Sequence, residues 1–427
     1  MKRFLHPSLP IILGLIGLFI AVVFLVLRLF FPGLLQAQSV EGKDKEEIVL
    51  EEPENKEGPE LPVAQSTGVV AGSHVLSVRN DLISKGETFV EANLTDLTLR
   101  LYEAGEIALE VPIKSKGREG SWWETPVGVY QVTFKKENHF SSFGSVYQPW
   151  SLAFQGNFFI HGWPYYPDGT PVSSQYSGGC IRLSSENAEA IYKRLPAKAP
   201  VLVYQEPESA PPLPIFTNNP KIQGRLAIYD VPTGTEIRSH EALQKTRFGS
   251  TLNLLTALTA VDFLNIEKNI ILDGTKNSPR LKDEYKVTVY DLLHLLLAEQ
   301  DSAAAHNIAR GYGVDAFTKA MSNKAKAIGL NDSVVVSTDQ NDPRNITTPA
   351  DMSLLLRYLA EHRSFILQVS REPLSKSVYG PPAWDDLRYE EQLVSLPGFI
   401  GGTFARAGSH SPATAVVSVG TGTKKRK

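Results

Sequence analysis

The stretch 161–183, HGWPYYPDGTPVSSQYSGGCIRL, decides how this chain is read. It holds Cys180, the only cysteine among 427 residues, in the run Ser177-Gly178-Gly179-Cys180-Ile181-Arg182-Leu183. His161 follows the apolar segment Phe158-Phe159-Ile160, which reads as the end of a buried strand. A thiol becomes a useful nucleophile when a base lies beside it, because the thiolate is the reactive form. Two glycines ahead of the sulfur let the backbone turn tightly and bring amides close to a substrate carbonyl. Arg182 can orient a carboxylate through a forked pair of hydrogen bonds. The competing reading of the same residues is an inert, packed cysteine and a satisfied structural histidine.

The combination favours chemistry. The stretch resembles the catalytic motif of the L,D-transpeptidase (YkuD-like) family: a histidine, a spacer, then Ser/Thr-His-Gly-Cys, an apolar residue and Arg or Asn. His161, Ser177, Gly179, Cys180 and Arg182 match, whereas Gly178 stands where that family usually has a second histidine. Upstream, Leu97-Thr98-Leu99-Arg100-Leu101-Tyr102 with Ala104-Gly105 looks like the family's opening hairpin. Lys116-Gly117, Thr125-Pro126-Val127-Gly128-Val129-Tyr130 and Tyr147-Gln148-Pro149-Trp150 look like its further elements, so the resemblance spans roughly 87–204. It implies a mostly-β catalytic domain with the cysteine at a strand-to-helix junction. Cys180 would be the nucleophile, His161 the general base and acid, the Gly162 carbonyl the group orienting His161, and the Gly179 amide an oxyanion donor. Arg182, Ser177, Tyr147 and Trp163 would border the substrate, a peptidoglycan stem peptide. No cofactor and no metal is implied.

Around this motif the chain divides readily, being too long for one ordinary core. Residues 1–35 read as a cytoplasmic tip and a transmembrane anchor. The apolar span 9–31 is uncharged from 9 to 27, and Lys2 and Arg3 before it favour an amino terminus in the cytoplasm and later domains outside. A cleaved signal peptide competes, but its apolar region is usually only ~7–15 residues long. Residues 36–72, rich in Glu, Lys and Pro, read as a disordered acidic tether with a reach of roughly 30 Å.

The first folded domain, 73–205, is expected to be strand-rich, with strands over 97–101, 127–133, 152–154 and 201–204. A short helix capped by Ser184 or Ser185 should run to Leu195. Trp122, Trp123, Trp163, Tyr165, Tyr166 and Tyr176 divide between core and groove wall. Residues 206–220 form a proline-rich linker.

Residues 221–427 are expected to be α+β and helix-dominated. A helix is expected over 250–263, and Thr288-x-x-Asp291 predicts a capping box on a helix running to Arg310. Gly329 should end the next helix, and Thr348-Pro349 should start another. This half resembles the serine D-alanyl-D-alanine carboxypeptidases of the penicillin-binding, β-lactamase-like fold, with Ser250 on the helix that carries Ser-x-x-Lys. Asn253 replaces the lysine, Glu299-Gln300-Asp301 stands for Ser-x-Asn, and Ile400-Gly401-Gly402 stands for Lys-Thr-Gly. A neutral amide cannot take the serine proton, so the domain reads as degenerate, with Ser250 left as a helix-start residue. It is expected to bind peptide or to pack on the first domain.

A formal net charge of -3 gives no sign of nucleic-acid binding, and one cysteine excludes an internal disulfide framework. His294 and His306 lack partners at metal-ligand spacing. The sum is a membrane-anchored, extracytoplasmic L,D-transpeptidase that forms a Cys180 thioester, releases D-alanine and crosslinks to a neighbouring stem amine. An L,D-carboxypeptidase that gives the thioester to water is the alternative, and a non-catalytic wall-binding scaffold is the third reading.

Overall fold

Thr98 to Glu103 alternate outward-facing polar residues with inward Leu99 and Leu101, and this period of two makes a strand with one face in the core. The computed structural model describes residues 71–206, 224–275, 278–374, 380–404 and 412–418, all within one compact unit. The anchor, most of the tether and the interdomain linker expected from the sequence lie outside the described residues. Among the described residues no helix is long and apolar enough to cross a membrane.

The first half opens with helix α1 (Ala71–Ser84). Strands β1 (Phe89–Asn93), β2 (Thr98–Glu103), β3 (Glu106–Pro112), β4 (Gly128–Gln131), β5 (Phe134–Ser141), β6 (Val146–Gln155), β7 (Phe158–His161) and β8 (Ile181–Arg182) follow. Helix α2 (Ser185–Arg194) and strand β9 (Pro200–Tyr204) close it. Two sheets result, one ordered β3-β2-β1-β9-β4 and one ordered β5-β6-β7-β8. The opening helix lies next to the acidic tether, and the tether's composition gives no reason to expect it. Its Val75, Val78 and Leu82 recur at helical spacing and pack on Phe89, Tyr102, Val129, Leu202 and Tyr204. Ser184 caps α2 by accepting a hydrogen bond from the Asn187 amide, as the sequence leads one to expect.

The second half places helices α3 (Thr251–Phe263), α4 (Val289–Glu299), α5 (Ser302–Arg310), α6 (Val314–Ala327), α7 (Pro349–His362) and α8 (Ser364–Arg371) among short antiparallel strand pairs. Thr288 and Asp291 form the full capping box at the start of α4. The expected single helix to Arg310 is broken, however. Gln300 adopts a left-handed backbone with φ 56°. The Asp301 side chain then accepts from the amides of Ala303 and Ala304, so an acidic residue that reads as a helix interior is in fact the cap of α5.

Residues of the two halves are in contact. The Tyr358 hydroxyl donates to the Val127 carbonyl at 3.0 Å, and Lys324 Nζ donates to the Tyr130 hydroxyl at 3.0 Å. Asp262 Oδ2 lies 2.8 Å from Lys324 Nζ and accepts from Gln155 Nε2 at 3.0 Å, while Asp262 Oδ1 accepts from Arg363 at 3.0 Å. Asp262, Lys324 and Arg363 are all fully buried. A carboxylate and two cations removed from water are tolerable only because each offsets the desolvation of the others.

Candidate active site

β7 and β8 run parallel, with Ile160 opposite Ile181 and His161 opposite Arg182. Side chains alternate along a strand, so Phe159, His161, Cys180 and Arg182 share one face of this pair. Cys180 leads into β8, which passes through the Ser184 cap into α2. The strand and the capped helix fix the sulfur from one side.

His161 is fully buried. Its Nδ1 lies 2.6 Å from the Gly162 carbonyl oxygen, which can only accept, so Nδ1 carries the proton. That leaves Nε2 as the basic nitrogen, and Nε2 is buried without a hydrogen-bond partner. The Cys180 thiol donates instead to the Asn157 carbonyl, at 3.8 Å. Burial pushes the Cys180 thiol up to about 11, opposed by the Phe159 backbone amide, Arg182 and the Gln148 side-chain amide. Burial also drives His161 down to about 3, opposed by its bond to Gly162. A thiolate–imidazolium pair is therefore not the resting form. Both groups rest neutral, with a basic nitrogen and a thiol awaiting a substrate.

The other expected site residues are engaged within the loop itself. Ser177 Oγ donates to the Cys180 carbonyl at 2.5 Å and accepts from the Gly179 amide at 3.1 Å, so Ser177 shapes the turn and that amide is already occupied. Arg182 donates to the carbonyls of Ser174 and Tyr176 at 3.1 and 3.2 Å and lies over the Trp163 ring. Trp163 donates from its indole nitrogen to the Val172 carbonyl at 3.0 Å, and Tyr147 stacks on Tyr165. Arg182, Trp163 and Tyr147 thus frame the loop before the sulfur. Trp122 is core, whereas Tyr166 and Tyr176 are exposed.

The flanking motif elements converge on the same turn. Thr125 Oγ1 accepts from the Gly117 amide at 2.9 Å and donates to the Gly179 carbonyl at 2.8 Å. Gly179 has φ +106°, and a Cβ there would overlap the Phe158 ring and lie 2.7 Å from the Trp123 carbonyl oxygen. Around Gly178 nothing lies within 4 Å of such an atom, so the place of the family's second histidine is open. Gln148, Asn157 and Phe158 touch this site, yet sequence reasoning passed over them. A neutral amide or an apolar ring carries no signature of chemistry until the sheet sets it beside the thiol.

In the second half, Ser250 stands at the N-cap of α3, the helix-start place expected for it, but its hydroxyl makes no cap bond and donates instead to the Phe404 carbonyl at 2.9 Å. Gln300 donates to the same carbonyl at 2.6 Å, Asn253 donates to Gln340 at 3.2 Å, and Gln340 donates to the Gln300 carbonyl at 2.9 Å. These partners are amides and carbonyls, none able to take the serine proton. Among the described residues no cluster of His, Cys, Asp and Glu could hold a metal ion.

A buried imidazole and a thiol thus share one face of a parallel strand pair in a two-sheet domain. Residues 87–203 match the family described as the L,D-transpeptidase catalytic domain, YkuD. Residues 219–374 match the beta-lactamase enzyme family, so the chain joins these two domain types. It is 29% identical over 143 residues to the D-alanyl-D-alanine endopeptidase of Escherichia coli, covering 31% of this chain and 46% of that protein. The chain thus spans under half the length of that curated relative. An L,D-transpeptidase structure from Stackebrandtia nassauensis is 21% identical, with TM-score 0.24, covering 28% of this chain and 56% of that one. A D-alanyl-D-alanine carboxypeptidase from Francisella tularensis is 22% identical, with TM-score 0.35, covering 38% of this chain and 43% of that one.

Proposed function

We propose that the protein is a peptidoglycan L,D-transpeptidase that works through a Cys180 thioester. The observation that carries this reading is His161 Nε2, a basic nitrogen left buried and unpartnered on the face that also bears the thiol. As Cys180 Sγ attacks the carbonyl of the third residue of a stem tetrapeptide, Nε2 takes the thiol proton. Collapse of the tetrahedral intermediate expels the terminal D-alanine, whose amine receives that proton. A thioester is left behind. The side-chain amine of a neighbouring stem then attacks the thioester and loses its proton to Nε2, which returns it to the departing sulfur. The Gly162 carbonyl keeps the imidazole in the tautomer both steps need. Because both groups rest neutral, no charge has to be buried before the substrate arrives.

The second half contributes no acylation chemistry in this reading, since among the described residues the Ser250 hydroxyl meets only carbonyl acceptors. Residues 9–31 anchor the chain in the cytoplasmic membrane with its domains outside, a proposal tested by whether the full-length protein stays in the membrane fraction at full mass. The activity is tested by mass spectrometry of muropeptides incubated with the protein. Crosslinked product from the wild type, and none from Cys180→Ala or His161→Ala, is expected. Tripeptide without crosslink would make it the carboxypeptidase, and an active His161→Ala variant would remove the base from the mechanism.

A further inference from the structure

The β6–β7 turn, Gln155-Gly156-Asn157, supplies the carbonyl that accepts the Cys180 thiol, and its own contacts run to the other half of the chain. Gln155 Nε2 donates to Asp262 Oδ2 at 3.0 Å. The Asn157 amide donates to the Asp262 carbonyl at 3.2 Å, and Asn157 Nδ2 donates to the Phe263 carbonyl at 3.1 Å. Gly156, at φ +49°, lies so close that a Cβ there would overlap the Asp262 carbonyl oxygen and sit 3.2 Å from Phe263 Cγ. The turn therefore rests on the last residues of α3, the helix that begins beside Ser250.

The next residue is tied to the same support. The Arg363 guanidinium, which holds Asp262, also lies over the Phe158 ring, 5.8 Å from its centroid. The Phe158 ring occupies the space where a side chain on Gly179 would go. One buried cluster thus bears on both flanks of the nucleophile: through Asn157 on the sulfur, and through Phe158 on the turn that presents it.

From these contacts we propose that Asp262 is a positioning residue for Cys180, and that the beta-lactamase-like domain is kept as the brace of the thiol site. The inference takes the thiol-dependent reading above as its setting, but its primary readout, the reactivity of the sulfur, does not require any particular substrate. Held by Asp262, the Asn157 carbonyl favours the protonated thiol and fixes its direction. Released, it favours the protonated form less.

The test uses the full chain with two variants. Gly156→Ala drives a methyl group into the Asp262 carbonyl. Gln155→Leu removes one hydrogen bond but leaves the carboxylate with Lys324 and Arg363. Alkylation of Cys180 by iodoacetamide is followed against pH, alongside thermal unfolding and the muropeptide assay. The expected result is a midpoint about half a pH unit lower, with labelling about twofold faster below it once the lower nucleophilicity of a less basic sulfur is allowed for, and a fall in kcat at unchanged KM. Wild-type labelling profiles in both variants would overturn the proposal, as would a lowered Tm with an unmoved midpoint. If Gly156→Ala fails to fold, Gln155→Leu decides alone. A wild type that forms no product would overturn the transpeptidase reading, while the labelling arm would still decide this one.

Discussion

Two adjacent glycines before Cys180 should respond in opposite ways to substitution, and the contrast tests the site geometry directly. At Gly179 an alanine meets a backbone at φ +106°, the Phe158 ring and the Trp123 carbonyl oxygen. A non-glycine residue in such a region costs about 1–3 kcal/mol, and forcing a methyl into a filled space costs about 1–3 kcal/mol more. Neither obstacle can step aside easily, because Arg363 backs the Phe158 ring and the other contact is main chain. A loss of about 2–6 kcal/mol corresponds to a drop in Tm on the order of 10 °C. Since the same turn presents the sulfur, crosslink formation should fall by at least about tenfold. At Gly178 an added side chain meets nothing within 4 Å and the position is exposed, so Gly178→His should shift stability by no more than about 0.5 kcal/mol. Its activity should equal or exceed that of the wild type. Differential scanning fluorimetry and the muropeptide assay on the two variants are sufficient. A Gly179→Ala protein with wild-type Tm and turnover, or an inactive Gly178→His protein, would refute the reasoning.

The resting thiol should be sluggish. A rise from 9.0 to about 11 lowers the thiolate fraction about a hundredfold at neutral pH, and the greater nucleophilicity of a more basic sulfur returns about tenfold. Iodoacetamide should therefore label Cys180 about tenfold more slowly than a peptide thiol at pH 7.5, with the rate climbing toward pH 11; equal or faster labelling would contradict the neutral pair. Stability should fall in acid with a particular shape. His161 and His362, both driven by burial from 6.5 to about 3, favour the fold at higher pH and lose that contribution as pH falls from about 6.5 to about 3. Glu124 and Asp351, raised by burial to about 7 and about 6, contribute in the opposite sense, with stability present at low pH and lost as pH rises through those values. The two pairs offset each other above about pH 4.5. Below about 4 the histidines are joined by carboxylates that neighbouring cations hold low, such as Asp262, kept low against its burial by Lys324 and Arg363, whose contribution is likewise lost as pH falls. Urea midpoints should be nearly level from pH 6.5 to 4.5 and then decline, whereas a midpoint that rises below pH 4 would reverse the assignment.

Much of the site was legible because its chemistry needs residue types that stand out in a sequence. His161 and Cys180 sit at a strand end and in a glycine turn, and Thr288 with Asp291 makes a cap that only local spacing requires. Legibility failed where a residue's role depends on what approaches it from afar. Asn157 and Phe158 look ordinary until Asp262 and Arg363, about 100 and 200 residues later, arrive beside them. The resting charges are illegible for the same reason, because the depth of burial that keeps both groups neutral is a property of the packed sheets. The break at Gln300 was hidden because Leu292 to Ala305 is apolar enough to read as continuous helix, and only the αL turn lets Gln300 reach the Phe404 carbonyl.

The Asp262–Lys324–Arg363 cluster also sets a schedule. The catalytic sheets are complete in sequence at Tyr204, yet the partners of Val127, Tyr130 and Phe158 include Tyr358 and Arg363, the last of them about 160 residues further on. At a synthesis rate of roughly 5–20 residues per second, that face stays uncovered for about 8–30 seconds in every newly made chain. For that interval the Phe158 ring lacks the Arg363 guanidinium that lies over it in the finished molecule. The thiol gains its final surroundings only when the end of α7 emerges, so a nascent first half should be a different nucleophile from the one in the finished molecule.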